Sequence, residues 1–432
     1  MALDQTLTYG VIGLGQTGLS VVRYLVAQDI TPVVFDTREH PALADQLPKS
    51  LLLHTGALDQ KLVGECDVLI VSPGISVQTP LFESLRTQGK QVIGDIELFA
   101  LAVKAPVIGI TGSNGKTTVT TLVGEMAREA GIQVAVGGNI GTPALDLLAQ
   151  PAALYVLELS SFQLETTDSL QLCGATVLNV SADHMNRYDD LAAYGAAKRR
   201  IYRHCQVCVV NADDAQTYPI EPEHLVQFSL AQQSDYWIGG LEPTLMAGSQ
   251  ALLPCRELRM SGRHNWANAL AAIALGDAAG IPREAMISVL KRFSGLAHRC
   301  ELVAITRGIR WINDSKATNI GATVAALQGF ANEPGQTWLI AGGDGKGADF
   351  SELAPWLQPL GGVVLFGRDA DQIQAVFPSA QRVADLAEAI QWCARQAREG
   401  DRVLLSPACA SWDMYNGFEQ RGEHFRQLVG AL

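Results

Sequence analysis

The chain has 432 residues, of which 48% are hydrophobic and 18% charged, and its formal net charge is −12. This composition predicts a well-cored α/β protein of about three domains, and the acidic balance argues against a nucleic-acid partner, which needs a basic binding face. The sequence contains neither a run of roughly eighteen apolar residues nor a basic and apolar leader, so we expect a cytoplasmic protein with no membrane partner.

The first segment begins with an apolar strand, the glycine-rich turn "GLGQTG" and a helix. Gly13, Gly15 and Gly18 match the G-x-G-x-x-G pattern, in which backbone N–H groups approach a diphosphate at a helix N-terminus. Asp36 ends the next predicted strand, at the spacing of an acid that binds a ribose. The pattern is typical of NAD dehydrogenases, but a nucleotide-sugar diphosphate fits it equally well.

The second segment contains "TGSNGKTT" between an apolar strand and a helix, which is the context of a phosphate-binding loop. Gly112 and Gly115 allow the backbone to turn around phosphate oxygens. Lys116 supplies a positive charge, and Thr117 supplies a hydroxyl group for Mg²⁺. The loop is shorter than the usual G-x-x-x-x-G-K-[ST] pattern, because Ile110 occupies the position of the first glycine.

Polar side chains follow the next strands of this segment. Glu158 ends "ALYVLE", where the metal-binding carboxylate of such a site is expected, and Asp183 and His184 follow "LNVSA". Open α/β sheets bind ligands at the carboxyl ends of their strands. Residues 227–262 have short apolar runs between Gly and Pro, which predict a small β meander at the periphery.

The third segment resumes the alternation with the strands "IRWIND", "TWLIAGG", "GVVLFG" and "DRVLLSP", each followed by a helical stretch. We therefore predict three α/β domains. These are a Rossmann-like N-terminal domain (1–94), a central P-loop ATPase-like domain with a parallel sheet plus a small β region (95–296), and a Rossmann-like C-terminal domain (297–432).

In this order, the motifs resemble those of the Mur ligase family of peptidoglycan synthesis. The resemblance runs nearly end to end and rests on "TGSNGKTT", "GGNIG", "LELSSFQLE", "LNVSADHMNRY", "KRRIY", "HNWANALAA", "HRCE", "WINDSKATN", "GGDGKGADF" and "SPACASWDMYNGFEQRGEHF". It implies that ATP phosphorylates the carboxylate of UDP-N-acetylmuramoyl-L-alanine. The amine of D-glutamate then attacks the acyl phosphate, and ADP and phosphate leave.

The resemblance also implies residue roles, which transfer position by position. The ATP site would comprise Gly112, Ser113, Asn114, Gly115, Lys116, Thr117, Thr118, Asn268, Arg299 and Asp314. The UDP-substrate site would comprise Leu14, Thr17, Asp36, Thr37, Arg38, Gly74 and Asn139, the last beside the reactive end of the substrate. The D-glutamate site would comprise Lys316, Thr318, Lys346, Ser411 and Phe418.

Two Mg²⁺ ions, which Mn²⁺ can replace, are part of the same implication. Their protein ligands would be Thr117, Glu158, His184 and Lys198. The catalytic residues would be Lys116, Glu158, His184 and Lys198. The resemblance implies that Lys198 acts as a carbamate, which is chemically reasonable since a carbamate presents anionic oxygens to a cation and an ammonium group cannot ligate one. We expect a monomer. At Asn186 the chain departs from the family, which more often has Asp there.

Three alternatives compete with this interpretation. A folylpolyglutamate synthase-like ligase shares the acyl-phosphate chemistry but lacks a uridine-binding first domain. An NAD dehydrogenase leaves Lys116, Glu158 and His184 without a purpose. A non-enzymatic nucleotide switch would hydrolyse or retain the nucleotide without requiring an amino acid.

Overall fold

The computed structural model describes residues 3–185, 187–260, 262–331 and 333–432. Within these ranges the strands form three sheets, one after another along the chain. Helices alternate with the strands of each sheet, as the sequence predicted. The departure at Asn186 falls outside the described residues.

The N-terminal sheet is parallel and carries the first glycine-rich turn. Its strands are β1 (Tyr9–Ile12), β2 (Val33–Asp36), β3 (Leu53–Thr55), β4 (Val68–Val71) and β5 (Gln91–Ile93). The helices are α1 (Gln16–Ala27), α2 (Gln60–Gly64), α3 (Pro80–Thr87) and α4 (Asp95–Ala102). The strand order is β3-β2-β1-β4-β5, so β2 and β3 are added on one side of β1, and β4 and β5 on the other. Open α/β sheets bind ligands at this switch point.

The central sheet is the largest of the three. Its strands are β6 (Val107–Thr111), β7 (Val134–Gly138), β8 (Leu154–Glu158), β9 (Gly174–Val177), β10 (Cys208–Asn211), β11 (Leu225–Ser229), β12 (Tyr236–Gly239), β13 (Thr244–Ala247) and β14 (Gln250–Pro254). Their order is β14-β13-β12-β11-β10-β9-β6-β8-β7. The seven strands β6 to β12 are all parallel to one another. The carboxyl ends of β6 and β8 therefore lie side by side.

The predicted meander is confirmed for β12, β13 and β14, which pair in antiparallel fashion. The structure differs at β11, which pairs in parallel with β10 and β12 and so extends the central sheet. Helices of this part are α5 (Lys116–Glu129), α6 (Ala144–Leu147), α7 (Ser161–Glu165), α8 (Leu191–Arg199), α9 (Arg263–Ala278) and α10 (Arg283–Arg292).

The C-terminal sheet contains a hairpin that the sequence analysis missed. Its strands are β15 (Glu301–Thr306), β16 (Ile309–Asn313), β17 (Thr337–Ala341), β18 (Gly362–Leu365), β19 (Gln381–Arg382) and β20 (Arg402–Leu405). Its helices are α11 (Ile320–Phe330), α12 (Ala354–Leu357), α13 (Ala370–Val376), α14 (Leu386–Gln396) and α15 (Phe418–Gly430). The order is β15-β16-β20-β17-β18-β19, and β15 alone is antiparallel to its neighbour.

Helix α5 gives the phosphate-binding loop a rigid base. Val119, Leu122, Val123 and Met126 are fully buried on one side of the helix, and each such burial stabilises the fold by about 1.5–3 kcal/mol. Gly131 has a φ of 75° just after the helix, the left-handed conformation predicted for its C-terminal cap. The loop before α5 is therefore fixed by the core of the central domain.

Side-chain contacts join the three sheets into one molecule. Arg23 on α1 forms an ion pair with Asp146 on α6, and Lys346 beyond β17 forms one with Asp183 beyond β9. No helix among the described residues combines the length and apolarity needed to cross a membrane. The exact domain limits, 94/95 and 296/297, stay predictions.

Candidate active site

The phosphate-binding loop lies between β6 and α5. Gly115 has a φ of 84°, and a Cβ there would lie 2.5 Å from Oδ1 of Asn268 on α9. Glycine is therefore required both for the turn and for the close approach of α9. The ammonium group of Lys116 donates to the carbonyl oxygens of Gly112 at 2.7 Å and Ser113 at 2.9 Å. Burial lowers the pKa of Lys116.

Glu158 at the end of β8 connects this loop to the "GGNIG" segment. The hydroxyl of Thr117 donates to Oε2 of Glu158 at 2.8 Å, and the side-chain amide of Asn139 donates to Oε1 at 2.7 Å. The Glu158 side chain is 2% exposed. Asn139, predicted at the reactive end of the UDP-substrate, thus lies beside the carboxylate predicted to bind a metal ion.

Lys198 and His184 both lie next to the aromatic ring of Tyr194. The ammonium group of Lys198 is 4.3 Å from the ring centre of Tyr194 and donates to the Gly112 carbonyl at 3.0 Å. The His184 ring centre is 6.4 Å from that of Tyr194. Burial, and then the charge of Lys116, hold the pKa of Lys198 well below its usual value. Burial also lowers the pKa of His184, which favours the neutral imidazole that ligates metals.

Thr117, Glu158, His184 and Lys198 differ in how well they suit Mg²⁺. No group of three or more His, Cys, Asp and Glu side chains that could hold a metal ion occurs in the described part of the chain. Mg²⁺, however, usually takes only one or two protein carboxylates together with substrate phosphates and waters. Thr117 and Glu158 fit one such ion, whereas His184 and Lys198 fit a second only if Lys198 carries an anionic oxygen.

Asp183 links the metal-ligand loop to the C-terminal domain. Its Oδ1 accepts from the ammonium group of Lys346 at 2.6 Å, and its Oδ2 accepts from the side-chain amide of Asn319 at 3.0 Å. Burial raises the pKa of Asp183, but the charges of Lys346 and His184, together with the hydrogen bonds from Lys346 and Asn319, outweigh it and bring the pKa to about 2. Lys346, a predicted D-glutamate ligand, therefore lies at the junction of two domains.

A cavity of about 630 Å³ opens between the central and C-terminal domains, next to the phosphate-binding loop. Among the predicted ATP residues it is lined by Asn114, Gly115, Thr118, Asn268, Arg299 and Asp314. Gly112, Ser113, Lys116 and Thr117 lie outside this lining, in the adjoining loop. The lining also includes Phe228, Leu230, His264 and Trp356, which the sequence analysis did not select. Only His264 was within a quoted motif, so the sequence gave no usable signal for the apolar members of the lining.

Asp314 lies deep in this cavity. The backbone N–H of Cys300 donates to its Oδ1 at 3.1 Å, and the hydroxyl of Ser406 donates to its Oδ2 at 2.8 Å. Burial dominates over these hydrogen bonds and raises the pKa of Asp314 to about 7. Burial likewise lowers the pKa of Lys316, which lines the same cavity, to about 8.

The structure brings three of the predicted D-glutamate residues, Lys316, Thr318 and Phe418, into contact. The ammonium group of Lys316 lies 4.0 Å from the ring centre of Phe418, and the backbone N–H of Thr318 donates to the Lys316 carbonyl at 2.8 Å. Ser411 is buried in the loop after β20. Arg421, which we did not select, donates to the carbonyl of Cys409 in that loop at 3.1 Å.

Arg421 also fixes the other side of this site. Its guanidinium donates to the carbonyl of Ser315 at 2.8 Å and to the Ser315 hydroxyl at 3.0 Å. That hydroxyl in turn donates to the carbonyl of Phe418 at 2.8 Å. One buried side chain thus positions the loops after β16 and β20, two of the three loops that carry the predicted D-glutamate residues.

The predicted UDP-substrate residues cluster at the carboxyl edge of the first sheet. The backbone N–H of Leu14 donates to Oδ2 of Asp36 at 2.6 Å, and the guanidinium of Arg38 donates to the same oxygen at 2.7 Å. The hydrogen bond from Arg38 is the main cause that brings the pKa of Asp36 to about 2. Thr17 lies in the first turn of α1, and Thr37 is exposed beside Arg38.

Gly74 lies in a turn that is tied to the glycine-rich loop. The hydroxyl of Ser72 donates to the carbonyl of Gly13 at 2.8 Å, and the N–H of Ile75 donates to the carbonyl of Ser72 at 3.0 Å. This places Gly74 with the cluster of Leu14 and Asp36. Asn139 is separate from it and lies at Glu158 instead.

Three family models match successive parts of the chain. They are "Mur ligase MurD-like, N-terminal domain" over residues 8–94, "Mur ligase middle domain" over residues 110–276, and "Mur ligase, glutamate ligase domain" over residues 298–409. The chain belongs to the Mur ligase family. The three-domain α/β fold and the resemblance predicted from sequence are thereby confirmed.

Individual relatives agree with this assignment. The UDP-N-acetylmuramoylalanine--D-glutamate ligase of Pasteurella multocida is 52% identical over 97% of this chain and 97% of its own. The protein of that name from Escherichia coli is 49% identical over 98% of each chain.

The structure of MurF ligase from Thermotoga maritima in complex with ADP has a TM-score of 0.64 at 15% identity, covering 100% of this chain and 98% of its own. A pseudomurein peptide ligase from Methanothermus fervidus has a TM-score of 0.64 at 17% identity, covering 98% and 99%. These two structures share the fold.

The raised pKa of Asp314 predicts a pH-dependent stability. An aspartate in an unfolded chain titrates near pH 3.9, whereas Asp314 titrates at about 7. The folded state therefore holds the extra proton between these values, and ionisation destabilises the fold as the pH rises from about 4 to 7. We expect the melting temperature of Asp314→Asn, relative to that of the unchanged protein, to rise by a few degrees between pH 5 and pH 8. A difference that is the same at both pH values would contradict the assignment.

Proposed function

We propose that this protein is an ATP-dependent ligase that adds D-glutamate to UDP-N-acetylmuramoyl-L-alanine in the synthesis of peptidoglycan precursors, with release of ADP and phosphate. Relatives named for this activity match nearly the whole chain at about half identity, which supports the assignment. The observation that carries the chemistry is that Lys116 and Lys198 both donate to the carbonyl of Gly112 in the phosphate-binding loop. Lys116 supplies positive charge at this point, which favours the binding of an anionic phosphate group, and the lowered pKa of Lys198 increases its neutral fraction.

ATP is needed because a carboxylate and an amine at neutral pH only form a salt. Transfer of the γ-phosphoryl group to the terminal carboxylate of the substrate gives an acyl phosphate, whose carbonyl carbon the amine of D-glutamate attacks. Phosphate leaves, and an amide bond remains. Lys116 and the N-terminus of α5 would bind the β- and γ-phosphates, because both present positive charge at the loop.

Two Mg²⁺ ions, when bound, would neutralise charge on the attacking and leaving oxygens of the transferred phosphoryl group. Thr117 and Glu158 would hold the first. His184 and Lys198 would hold the second, with Lys198 modified by CO₂ to a carbamate. That modification requires a neutral amine, and the lowered pKa of Lys198 supports its presence at neutral pH.

Substrate residues from the three domains would meet at this centre. The UDP-substrate would be held by Leu14, Thr17, Asp36, Thr37, Arg38 and Gly74, with Asn139 near its reactive end. ATP would be held by the loop 112–118 and by Asn268, Arg299 and Asp314. D-glutamate would be held by Lys316, Thr318, Lys346, Ser411 and Phe418, where the two lysines can neutralise its two carboxylates.

The ion pair of Asp183 with Lys346 would hold the C-terminal domain over the phosphate-binding loop. Asn319 supports this contact, since its amide reaches both Asp183 and, at 3.4 Å, Oδ1 of Asn114. Closure of this kind protects an acyl phosphate from water. We further infer that the protein is a monomer and that it lies in the cytoplasm, where its nucleotide substrates are present.

The amino-acid requirement tests this function most simply. We expect ADP release with UDP-N-acetylmuramoyl-L-alanine and ATP to depend on D-glutamate, with background rates for L-glutamate, D-aspartate and meso-diaminopimelate. A coupled assay of ADP over this panel measures it. Strong turnover with L-glutamate and none with D-glutamate would contradict the proposal and favour a folylpolyglutamate synthase-like enzyme.

Lys198→Ala tests the proposed carbamate. We expect its activity to fall at least about 10²-fold, the usual effect of removing a main electrostatic stabiliser, and to recover in part when formate or acetate is added. The matched control is Lys291→Ala, since Lys291 forms an exposed ion pair with Glu257 on the central domain. In ¹³CO₂ the unchanged protein, but not Lys198→Ala, should show a carbamate ¹³C NMR signal. Full activity of Lys198→Ala would exclude this role.

A further inference from the structure

Arg187 joins two loops that lie on different domains. It follows His184 in the loop beyond β9, and its guanidinium reaches the N-terminal domain. There Nη1 donates to the carbonyl of Pro73 at 3.2 Å, and Nη2 donates to the carbonyl of Ile75 at 3.3 Å. These carbonyls belong to the residues before and after Gly74, so the Arg187 side chain binds the turn on both sides of Gly74.

The other contacts of Arg187 lie in the central domain. Nη2 forms an ion pair with Oε2 of Glu165 at 3.2 Å, and the two side chains are only 14% and 6% exposed. The guanidinium carbon lies 4.3 Å from the ring centre of Phe162, which is the geometry of a cation–π contact. Arg187 is therefore held by Phe162 against one face of the guanidinium and by Glu165 and the two carbonyls through its N–H groups, which suits a rigid bridge better than a mobile surface charge.

The bridge continues to the proposed metal ligand. The ring of Phe162 meets the ring of His184 edge to face at 4.9 Å, and the backbone N–H of Arg187 donates to the His184 carbonyl at 2.8 Å. His184 itself has a φ of 59°, an uncommon conformation that its surroundings must maintain. Arg187 and Phe162 supply part of those surroundings.

In the N-terminal domain, the turn of residues 72–75 is connected to the diphosphate-binding loop. The Ser72 hydroxyl binds the Gly13 carbonyl, so displacement of the turn would move the glycine-rich loop as well. A continuous chain of contacts thus runs from Gly13 through the turn of residues 72–75 to Arg187 and His184.

We propose that Arg187 is a positioning residue that locks the substrate-holding turn of the N-terminal domain onto the loop of His184. It thereby sets where the reactive carboxylate of the nucleotide-sugar lies relative to the transferred phosphoryl group. The inference rests on the proposed function for the identity of the substrate. Misplacement of reacting groups by about 1 Å can reduce a rate about 10²-fold.

Kinetics of Arg187→Met test this role. We expect kcat to fall at least about 10-fold, because the alignment of the substrate is lost. The KM for ATP should stay within about threefold and the Kd for UDP within about twofold, since neither ligand would contact Arg187. Arg187→Lys should recover part of kcat, because an ammonium group can bind Glu165 and one of the two carbonyls but cannot bind both carbonyls in a plane.

The matched control is Arg23→Met. Arg23 also bridges the N-terminal and central domains, through Asp146 on α6, but it lies outside both loops. We expect its kcat to stay within about twofold of that of the unchanged protein. Equal kcat values for Arg187→Met and Arg23→Met would overturn the inference. If Arg187→Met does not fold, a kcat of Arg187→Lys equal to that of the unchanged protein would overturn it.

Amide hydrogen exchange gives a readout that does not require turnover. In Arg187→Met the segment of residues 72–79 should exchange faster than in the unchanged protein, while in Arg23→Met it should not. Unchanged exchange in Arg187→Met would refute the locking contact even if the enzyme proved to use another substrate. Lack of ADP release by the unchanged protein with D-glutamate would instead contradict the proposed function.

Discussion

A half-buried lysine, Lys116, and a fully buried one, Lys198, share one backbone oxygen of the phosphate-binding loop. Lys116 and Lys198 donate to the Gly112 carbonyl at 2.7 and 3.0 Å, and the charge of Lys116 helps to lower the pKa of Lys198. Two ammonium groups in a poorly solvated place repel one another. The repulsion is relieved if one is neutral, if an anion binds, or if one lysine becomes an anion itself. A triphosphate and a carbamate satisfy these conditions together, and the rest of the site is arranged around them.

The surrounding fold explains how this centre can be assembled from distant parts of the chain. Thr111 and Glu158 end neighbouring parallel strands, so the phosphate-binding loop and the carboxylate meet at one edge of the central sheet. Side-chain contacts hold the other two domains next to the same edge. Arg187 of the central domain reaches the turn at Gly74, and Lys346 of the C-terminal domain reaches Asp183. Chemistry that needs a sugar nucleotide, ATP and an amino acid together suits a centre that adjoins both of these domains.

Sequence patterns predicted those features that depend on local chain geometry. The glycines of both loops, the acids at strand ends and the α/β alternation are local, and the fold that they implied is confirmed. Strand β15 was missed because Leu302 and Ile305 are exposed at the sheet edge, so its apolar residues do not mark a buried face. The ion pair of Lys346 with Asp183 and the grip of Arg187 were also missed, since they depend on how separately folded domains dock. The placement of Asn139 on Glu158 depends on the pairing of β7 with β8, which spacing alone does not reveal.

Isotope transfer tests the central claim that the nucleotide activates a carboxylate. UDP-N-acetylmuramoyl-L-alanine labelled with ¹⁸O in its terminal carboxylate would be turned over with ATP and D-glutamate, and the released phosphate analysed by mass spectrometry. Attack of that carboxylate on the γ-phosphoryl group predicts phosphate that carries one ¹⁸O atom. Phosphate free of ¹⁸O, with the oxygen lost from the carboxylate appearing in water instead, would contradict an acyl-phosphate route.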